Sequence, residues 1–434
     1  MAERPGPGVK PDPAFDPIDQ PLRDIRDERK LSDTRRHLIQ RIETLVHSSV
    51  PAERIAAACA LVAAGRDALA VPVLKQAVSS GTEHFTEISE TLPWLLWSDR
   101  TDLFQRLMAG AEDDHFHRLV DEFTIENDLR PLDLLWKEAA AEQTTGTRAY
   151  ALFDGMQKCY LGNNRYQAQN VPTKARDRVI EAGTTHVTSG KRFERLIGLA
   201  LLVGVDRDSA AELAQKLVDG ENEPLNVRRD ALRILLKVQD RRHAQSTAVQ
   251  LLASPHPELC EEALAFLVEP NDDTLTLADG QFYIYTFQFR VNYDPSETKK
   301  TELPAELKAE QVLPFLRSGQ EKTAAYAGYL LCMLDHEEGL PVLLRYWEAH
   351  AARDAVVSRL VYQAIAQLNS ESHVPLLARI YQQFQNSDTD DNSHAAEGFS
   401  VKDFYWTIRT MTGPQILALR KKIREEVGIA HLGQ

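Results

Sequence analysis

A run of cationic residues between positions 228 and 242 is the strongest local concentration of charge in this sequence. Arg229, Arg233 and Lys237 are spaced by four residues, so they share one face if the segment is helical. Such a face can be solvated, bind an acidic protein surface, or bind the phosphates of nucleic acid. The cations of the run are Arg228, Arg229, Arg233, Lys237, Arg241 and Arg242, and Asp230 and Asp240 are the only acidic residues among them.

The overall charge bears on the choice among these three roles. The 434-residue chain has 50 Lys plus Arg against 64 Asp plus Glu, which gives a formal charge of −14. This balance disfavours nonspecific attraction to nucleic acid or anionic lipid. We therefore expect a solvated helix face first and an acidic partner surface second, with Arg229, Arg233 and Lys237 as the contact residues in the second case.

A candidate set of metal ligands lies in the segment EDDHFH. It supplies Glu112, Asp113, Asp114, His115 and His117, and carboxylates with imidazoles suit zinc or iron. A His-x-His pair on a helix points its rings in different directions, and no further His follows four residues on. The sequence therefore predicts neither a metal site nor a cofactor.

Motifs for nucleophilic catalysis and phosphate binding are absent from the sequence. It contains no GxSxG, no GxxxxGK[ST] and no Gly-rich phosphate loop. We therefore expect a protein that is not an enzyme.

The segment LTLADGQFYIYTFQFRVNYDP, residues 275–295, alternates aromatic and polar residues with a period of two, which predicts a strand. Asp279-Gly280 favours a tight turn before it, so we expect a β-hairpin inserted among helices. The aromatic side either covers apolar helix surface or binds a partner, because an edge strand can pair with a further strand. The predicted contact residues on that side are Tyr283, Tyr285, Phe287 and Phe289.

The elements around these candidates repeat along the chain. Leu340, Pro341, Val342 and Leu343 correspond to Val374, Pro375, Leu376 and Leu377 at a constant offset of 34. The same offset relates Ala210, Ala214, Leu217 and Val218 to Ala244, Ala248, Leu251 and Leu252. A period in the thirties with two amphipathic helices per unit predicts a helical solenoid.

The repeat units, among them LPVLLRYW and VPLLARIY with a proline early in the second helix, resemble short bacterial HEAT repeats. The resemblance covers residues 51–79, 191–268 and 320–385 and is weakest over 85–184. It implies an all-α, HEAT-like α-α superhelix (solenoid), here with one inserted β-hairpin. That fold serves scaffolds, adaptors and a few enzymes, so it does not define a function.

The predicted organisation follows from the repeats and their interruptions. We expect a disordered Pro-rich segment at 1–30, a HEAT-like array at 31–270, the hairpin and its loop at 271–303, further repeats at 304–385, an acidic loop at 386–398 and terminal capping helices at 399–434. A charged capping pair would end the array without an exposed apolar stripe.

Cysteine usage and the terminus bear on location. Cys59, Cys159, Cys260 and Cys332 are far apart and include no CxxC pair, so we expect buried, reduced thiols. The N-terminus lacks an apolar signal segment, and no apolar run approaches the roughly 20 residues that a membrane helix needs. The sequence predicts a cytoplasmic protein with no membrane partner.

These observations lead to one functional expectation and one alternative. We expect a non-catalytic scaffold or adaptor that binds a protein partner or self-associates. The alternative is an enzyme of the HEAT-like class, similar to a chromophore lyase or a DNA glycosylase, with its site in the concave face. Clustered carboxylates or histidines with perturbed pKa values in a deep pocket would favour the enzyme.

Overall fold

The computed structural model describes residues 33–81, 84–162, 170–269, 274–277, 280–283, 303–350, 355–387 and 401–428. The chain divides into two compact units. Unit 1 comprises residues 1–213 and 273–291, and unit 2 comprises residues 214–272 and 292–434. The described residues are mostly α-helical, which confirms the predicted all-α class. The predicted segment at 1–30 and most of the acidic loop at 386–398 lie outside the described residues.

Unit 1 contains ten helices among its described residues, followed by α11, which crosses the boundary between the units. They are α1 (Asp33–Leu45), α2 (Pro51–Ala63), α3 (Asp67–Ser80), α4 (Phe85–Ser89), α5 (Trp97–Gly110), α6 (Asp113–Phe123), α7 (Leu132–Ala139), α8 (Gly146–Leu161), α9 (Thr173–Ser189), α10 (Arg192–Val203) and α11 (Arg207–Asp219). A 3-10 turn at Leu92–Trp94 precedes α5.

The described part of unit 2 continues with ten further helices. They are α12 (Leu225–Val238), α13 (Arg241–Leu251), α14 (Pro257–Val268), α15 (Ala309–Val312), α16 (Glu321–Met333), α17 (Leu340–His350), α18 (Ala355–Gln367), α19 (Val374–Ser387), α20 (Val401–Ile408) and α21 (Pro414–Val427). Short 3-10 turns lie at Leu313–Arg317, Glu337–Gly339 and Glu371–His373.

The 34-residue offset recurs in the backbone of unit 2. Asp335 and Asn369 both have positive φ, at 63° and 49°, immediately after the ends of α16 and α18. In each case the next amide donates back to a carbonyl five residues earlier: His336 N to Leu331 O at 2.9 Å, and Ser370 N to Ile365 O at 3.2 Å. This closure is typical of a helix that ends in a left-handed residue. The two turns therefore repeat in structure as well as in sequence.

Two glycines set the spacing between α16 and the turn before α17. A Cβ added at Gly339 would lie 2.2 Å from the carbonyl oxygen of Gly328, and one added at Gly328 would lie 2.6 Å from that of Gly339. The two backbones approach so closely because neither residue has a side chain. In contrast, Pro72 stands inside α3 rather than in its first turn. There its missing N–H removes an intrahelical hydrogen bond.

A buried helix, α8, lies at the centre of unit 1. It packs against α6, α7, α9 and α10, and most of its residues are buried. The strand β2 also lies against α8. The small residue Gly155 allows this packing, because a Cβ there would lie 2.5 Å from the Val120 side chain of α6.

Two short strands lie where the sequence predicts the hairpin. β1 (Thr274–Leu277) pairs antiparallel with β2 (Gly280–Tyr283), and Leu275 lies opposite Phe282. Both strands belong to unit 1, although the helices before and after them in sequence belong to unit 2. The rest of the predicted insertion, including Asp279 and residues 284–302, lies outside the described residues. The complete hairpin and the continuous solenoid stay predictions.

The last two helices are joined to the repeats before them. Phe404 of α20 is buried beside Tyr362 and Tyr381, with ring centroids 5.1 and 6.2 Å away. Glu371 accepts a hydrogen bond from the backbone N–H of Gln415 at 2.9 Å, so its carboxylate lies at the N-terminus of α21. A negative charge there is stabilising because it binds amides that have no partner within the helix.

Candidate partner-binding surface

Two of the predicted contact arginines hold a carboxylate of a different helix. Arg229 and Arg233 lie one turn apart on α12 and both reach Glu262 of α14. Arg229 Nη2 is 2.6 Å from Glu262 Oε1, and Arg233 Nε is 2.7 Å from Glu262 Oε2. Arg233 Nη2 also donates to Glu262 Oε1. This group of three side chains is called the Arg-Glu clamp below.

The electrostatics of the Arg-Glu clamp favour the charged carboxylate. The side chain of Glu262 is 12% exposed and that of Arg233 is 15% exposed. Burial alone raises the pKa of Glu262, but the hydrogen bonds and charges of Arg233 and Arg229 outweigh burial, so the pKa is lowered. Glu262 is therefore anionic at neutral pH and cancels part of the charge of α12.

The remaining cations of the run have different environments. Arg228 donates from Nε to the carbonyl of Val218 at 2.9 Å and approaches His256 Nε2 at 3.1 Å. Lys237 is half-buried, whereas Arg241 and Arg242 are exposed at the start of α13. For Arg229 and Arg233 the expectation of a solvated face is therefore corrected, whereas for Lys237 it stays a prediction. Arg229 and Arg233 connect α12 to α14, because an acidic residue of the next helix pair lies opposite them.

The aromatic candidates are described only in part. Tyr283 is the last residue of β2 and lies opposite Thr274 of β1. Tyr285, Phe287 and Phe289 lie outside the described residues, so their contact role stays a prediction. The packing of β2 against α8 is the arrangement expected if the hairpin covers helix surface.

The residues of the EDDHFH segment contact separate parts of unit 1. Asp113 Oδ1 accepts from Arg148 Nε at 2.8 Å, and the His115 ring lies 5.1 Å from that of Phe85. His117 Nε2 is 3.6 Å from Asp154 Oδ2, which raises the pKa of His117 despite its partial burial. Within the described ranges, no group of three or more His, Cys, Asp or Glu residues is placed to hold a metal ion.

The four thiols are all free. Cys159, Cys260 and Cys332 are buried as predicted, whereas Cys59 is only half-buried. Burial raises the pKa of Cys159 and of Cys332 to about 12 and that of Cys59 to about 11. Thiols with such pKa values are protonated at neutral pH and are therefore weak nucleophiles.

Sequence reasoning missed two polar groups that the structure brings together. Glu262 lies 33 residues after Arg229, close to the repeat period, so the offset itself was a usable signal. The second group has no such signal. His186 of α9 stacks on Trp136 of α7 with ring centroids 3.7 Å apart, and its Nδ1 lies 3.0 Å from Glu194 Oε1 of α10. This group joins three helices of unit 1.

Raised carboxylate pKa values occur on three separate helices. Burial raises the pKa of Glu122 on α6, of Glu138 on α7 and of Glu261 on α14. These helices belong to two different units, with Glu261 in unit 2.

Comparison with protein-family models and with curated proteins gives no match for this chain. Among the described residues, no helix combines the length and apolar composition needed to cross a membrane. The class that the structure establishes is a predominantly α-helical protein with a local 34-residue repeat in unit 2.

Proposed function

We propose that this chain is a non-catalytic helical-repeat scaffold of the HEAT-like type that binds a protein partner or self-associates in the cytoplasm. The observation that carries the proposal is the repeated turn at Asp335 and Asn369, each followed by a 3-10 turn and a second helix. A repeated helix pair cannot bury its apolar stripe alone, so successive pairs stack and present an extended surface.

Bonds between successive helix pairs support the same proposal. Tyr329 donates to Gln363 Oε1 at 3.0 Å, and Gln367 Nε2 donates to Asp335 Oδ1 at 2.9 Å. The Arg-Glu clamp joins α12 and α14 in the same manner. Polar side chains of one helix pair thus hydrogen-bond to polar side chains of the next pair. Such bonds are expected when helix pairs stack along a scaffold.

Two surfaces are proposed for the partner. The first is the aromatic side of the insertion, at Tyr283, Tyr285, Phe287 and Phe289. The second is the exposed part of α12 and the start of α13. Arg229 is 34% exposed although it binds Glu262, so a partner carboxylate can reach it without breaking the clamp.

The proposal is tested by capture of partners with quantitative mass spectrometry. The bait is the full chain, compared with Tyr285→Ser/Phe287→Ser and with the matched control Thr286→Ser/Gln288→Ser on the other side of the predicted strand. The proposal predicts one or more proteins retained by wild type and control but lost with the aromatic variant. Identical protein sets on all three baits would contradict a role for the aromatic side.

A parallel pair of variants addresses α12 and α13. Arg241→Ser/Arg242→Ser removes two exposed cations, whereas Arg106→Ser/Arg118→Ser removes two exposed cations of unit 1. The proposal predicts weaker capture of an acidic partner only in the first case. The capture that remains should fall less steeply with salt than it does for wild type, because two of the charges that salt screens are gone. Equal loss in both cases would indicate a general effect of charge.

A further inference from the structure

Among the described residues, the exposed large apolar side chains are unevenly distributed along the sequence. Seven such side chains are exposed, and four of them lie between residues 38 and 69, in the first three helices or directly before one of them. Leu38 is 55% exposed and Leu45 is 45% exposed. The four are Leu38, Leu45, Val50 and Leu69.

The arrangement of α1 explains why two of these leucines share one side. Leu38 and Leu45 are seven residues apart, two turns of an α-helix, so they project from the same face. Ile39 and Val46 have the same spacing on the neighbouring face and are buried. Arg66 Nε of the segment before α3 lies 3.1 Å from Glu43 Oε1, which holds the start of α3 beside α1. The outer side of α1 is thus an apolar stripe on a packed helix.

The last helix, α21, also exposes one large apolar side chain, Leu417, at 55%. Its exposed lysines, Lys421 and Lys422, are each paired with the glutamate four residues on. On α1, by contrast, two exposed leucines share one face. An exposed apolar stripe of this kind marks a binding surface.

Charge indicates what covers the stripe. Arg41 of α1 is exposed and lies three residues after Leu38 and four before Leu45, so both leucines have a cationic neighbour. The segment DPAFDPIDQPL, residues 12–22, combines the apolar Phe15, Ile18 and Leu22 with three aspartates and no cation. This pattern complements a leucine stripe with an arginine beside it.

Reach and tethering favour the same occupant. Ten residues lie between Leu22 and Asp33, enough to span about 35 Å. The 13 residues of α1 are about 20 Å long, so the segment can reach any part of the helix. Tethering places it at an effective concentration on the order of millimolar. A second copy is less suitable, because antiparallel pairing of Leu38 with Leu45 would bring Arg41 of both copies together at the symmetry axis.

We propose that the Leu38/Leu45 face of α1 is a binding surface for residues 12–22 of the same chain, through Phe15 and Ile18. This inference does not rest on the proposed scaffold function, and neither one requires the other.

The test is hydrogen exchange of α1 in the full chain, followed by mass spectrometry. Phe15→Asp/Ile18→Asp is expected to raise the exchange rate of α1 amides about five- to tenfold, because the cover is lost. Gly6→Asp/Val9→Asp adds the same charge outside the segment and is expected to leave exchange unchanged. Equal exchange in wild type and both variants would overturn the proposal.

A second variant changes the proposed binding surface instead of the segment that binds it. Leu38→Asp/Leu45→Asp changes only exposed positions, and circular dichroism checks its folding. Release of the segment should speed tryptic cleavage at Arg23 and Arg26, with the solution mass unchanged. If wild type is instead a dimer that this variant converts to a monomer, the occupant is a second copy and the proposal is wrong.

Discussion

The carboxylate of Glu262 receives hydrogen bonds from two arginines of another helix and is largely removed from water. Glu262→Gln would leave both guanidinium groups without their counter-charge. We expect a loss of about 2–3 kcal/mol in the free energy of unfolding, because breaking a buried pair from one side leaves an uncompensated charge. Urea unfolding measures it, with Glu261→Gln, which removes a half-buried carboxylate bonded to Gln320, as the control expected to cost less.

The same side chain gives this stabilisation a pH dependence. The pKa of Glu262 is lowered in the folded protein, so its contribution is present above the ordinary glutamate pKa of about 4.3. It is lost as the pH falls through the lower folded value. The free energies of unfolding of wild type and Glu262→Gln should therefore become equal at acid pH. If the difference in free energy of unfolding between the two proteins stays constant down to acid pH, the ionised Glu262 of the Arg-Glu clamp is not its cause.

At the scale of elements, close contact between backbones sets the geometry of the repeat. Gly339→Ala places a Cβ within 2.2 Å of the Gly328 carbonyl oxygen, so α16 and the following turn must separate. We expect a loss of about 1–3 kcal/mol, the usual cost of overpacking. Gly319→Ala is the matched control, because a Cβ there meets nothing within 4 Å. Equal thermal stability of the two variants would contradict the proposed role of this contact.

The helices and strands also show which structural features can be predicted from the sequence. The 34-residue offset of the sequence recurs in the turns at Asp335 and Asn369, because a helix end that needs a left-handed residue leaves the same local pattern each time. Glu262 was missed although it lies 33 residues after Arg229, close to the repeat period, because the period alone does not say which side chains of successive helix pairs touch. Membership of β1 and β2 in unit 1 was missed for a related reason, since α8 lies more than 100 residues earlier in the chain.

At the scale of the whole molecule, the chain consists of two units, and the strands that interrupt the sequence of unit 2 belong to unit 1. The proposed scaffold has a repeated helical framework and uses an aromatic insertion for recognition. A two-stranded hairpin is marginal alone in water, so its aromatic side requires either helix surface or a partner. β2 lies against α8, whereas Tyr285, Phe287 and Phe289 are the residues proposed for a partner.

The most direct test is the solution mass of the full chain, measured by light scattering after size exclusion, for wild type and Tyr285→Ser/Phe287→Ser. Circular dichroism confirms that both are folded. Self-association through the aromatic side of the insertion predicts that wild type is a dimer and that the folded variant is a monomer. Monomers in both cases, with a less stable variant, would contradict this and make the insertion a structural cover.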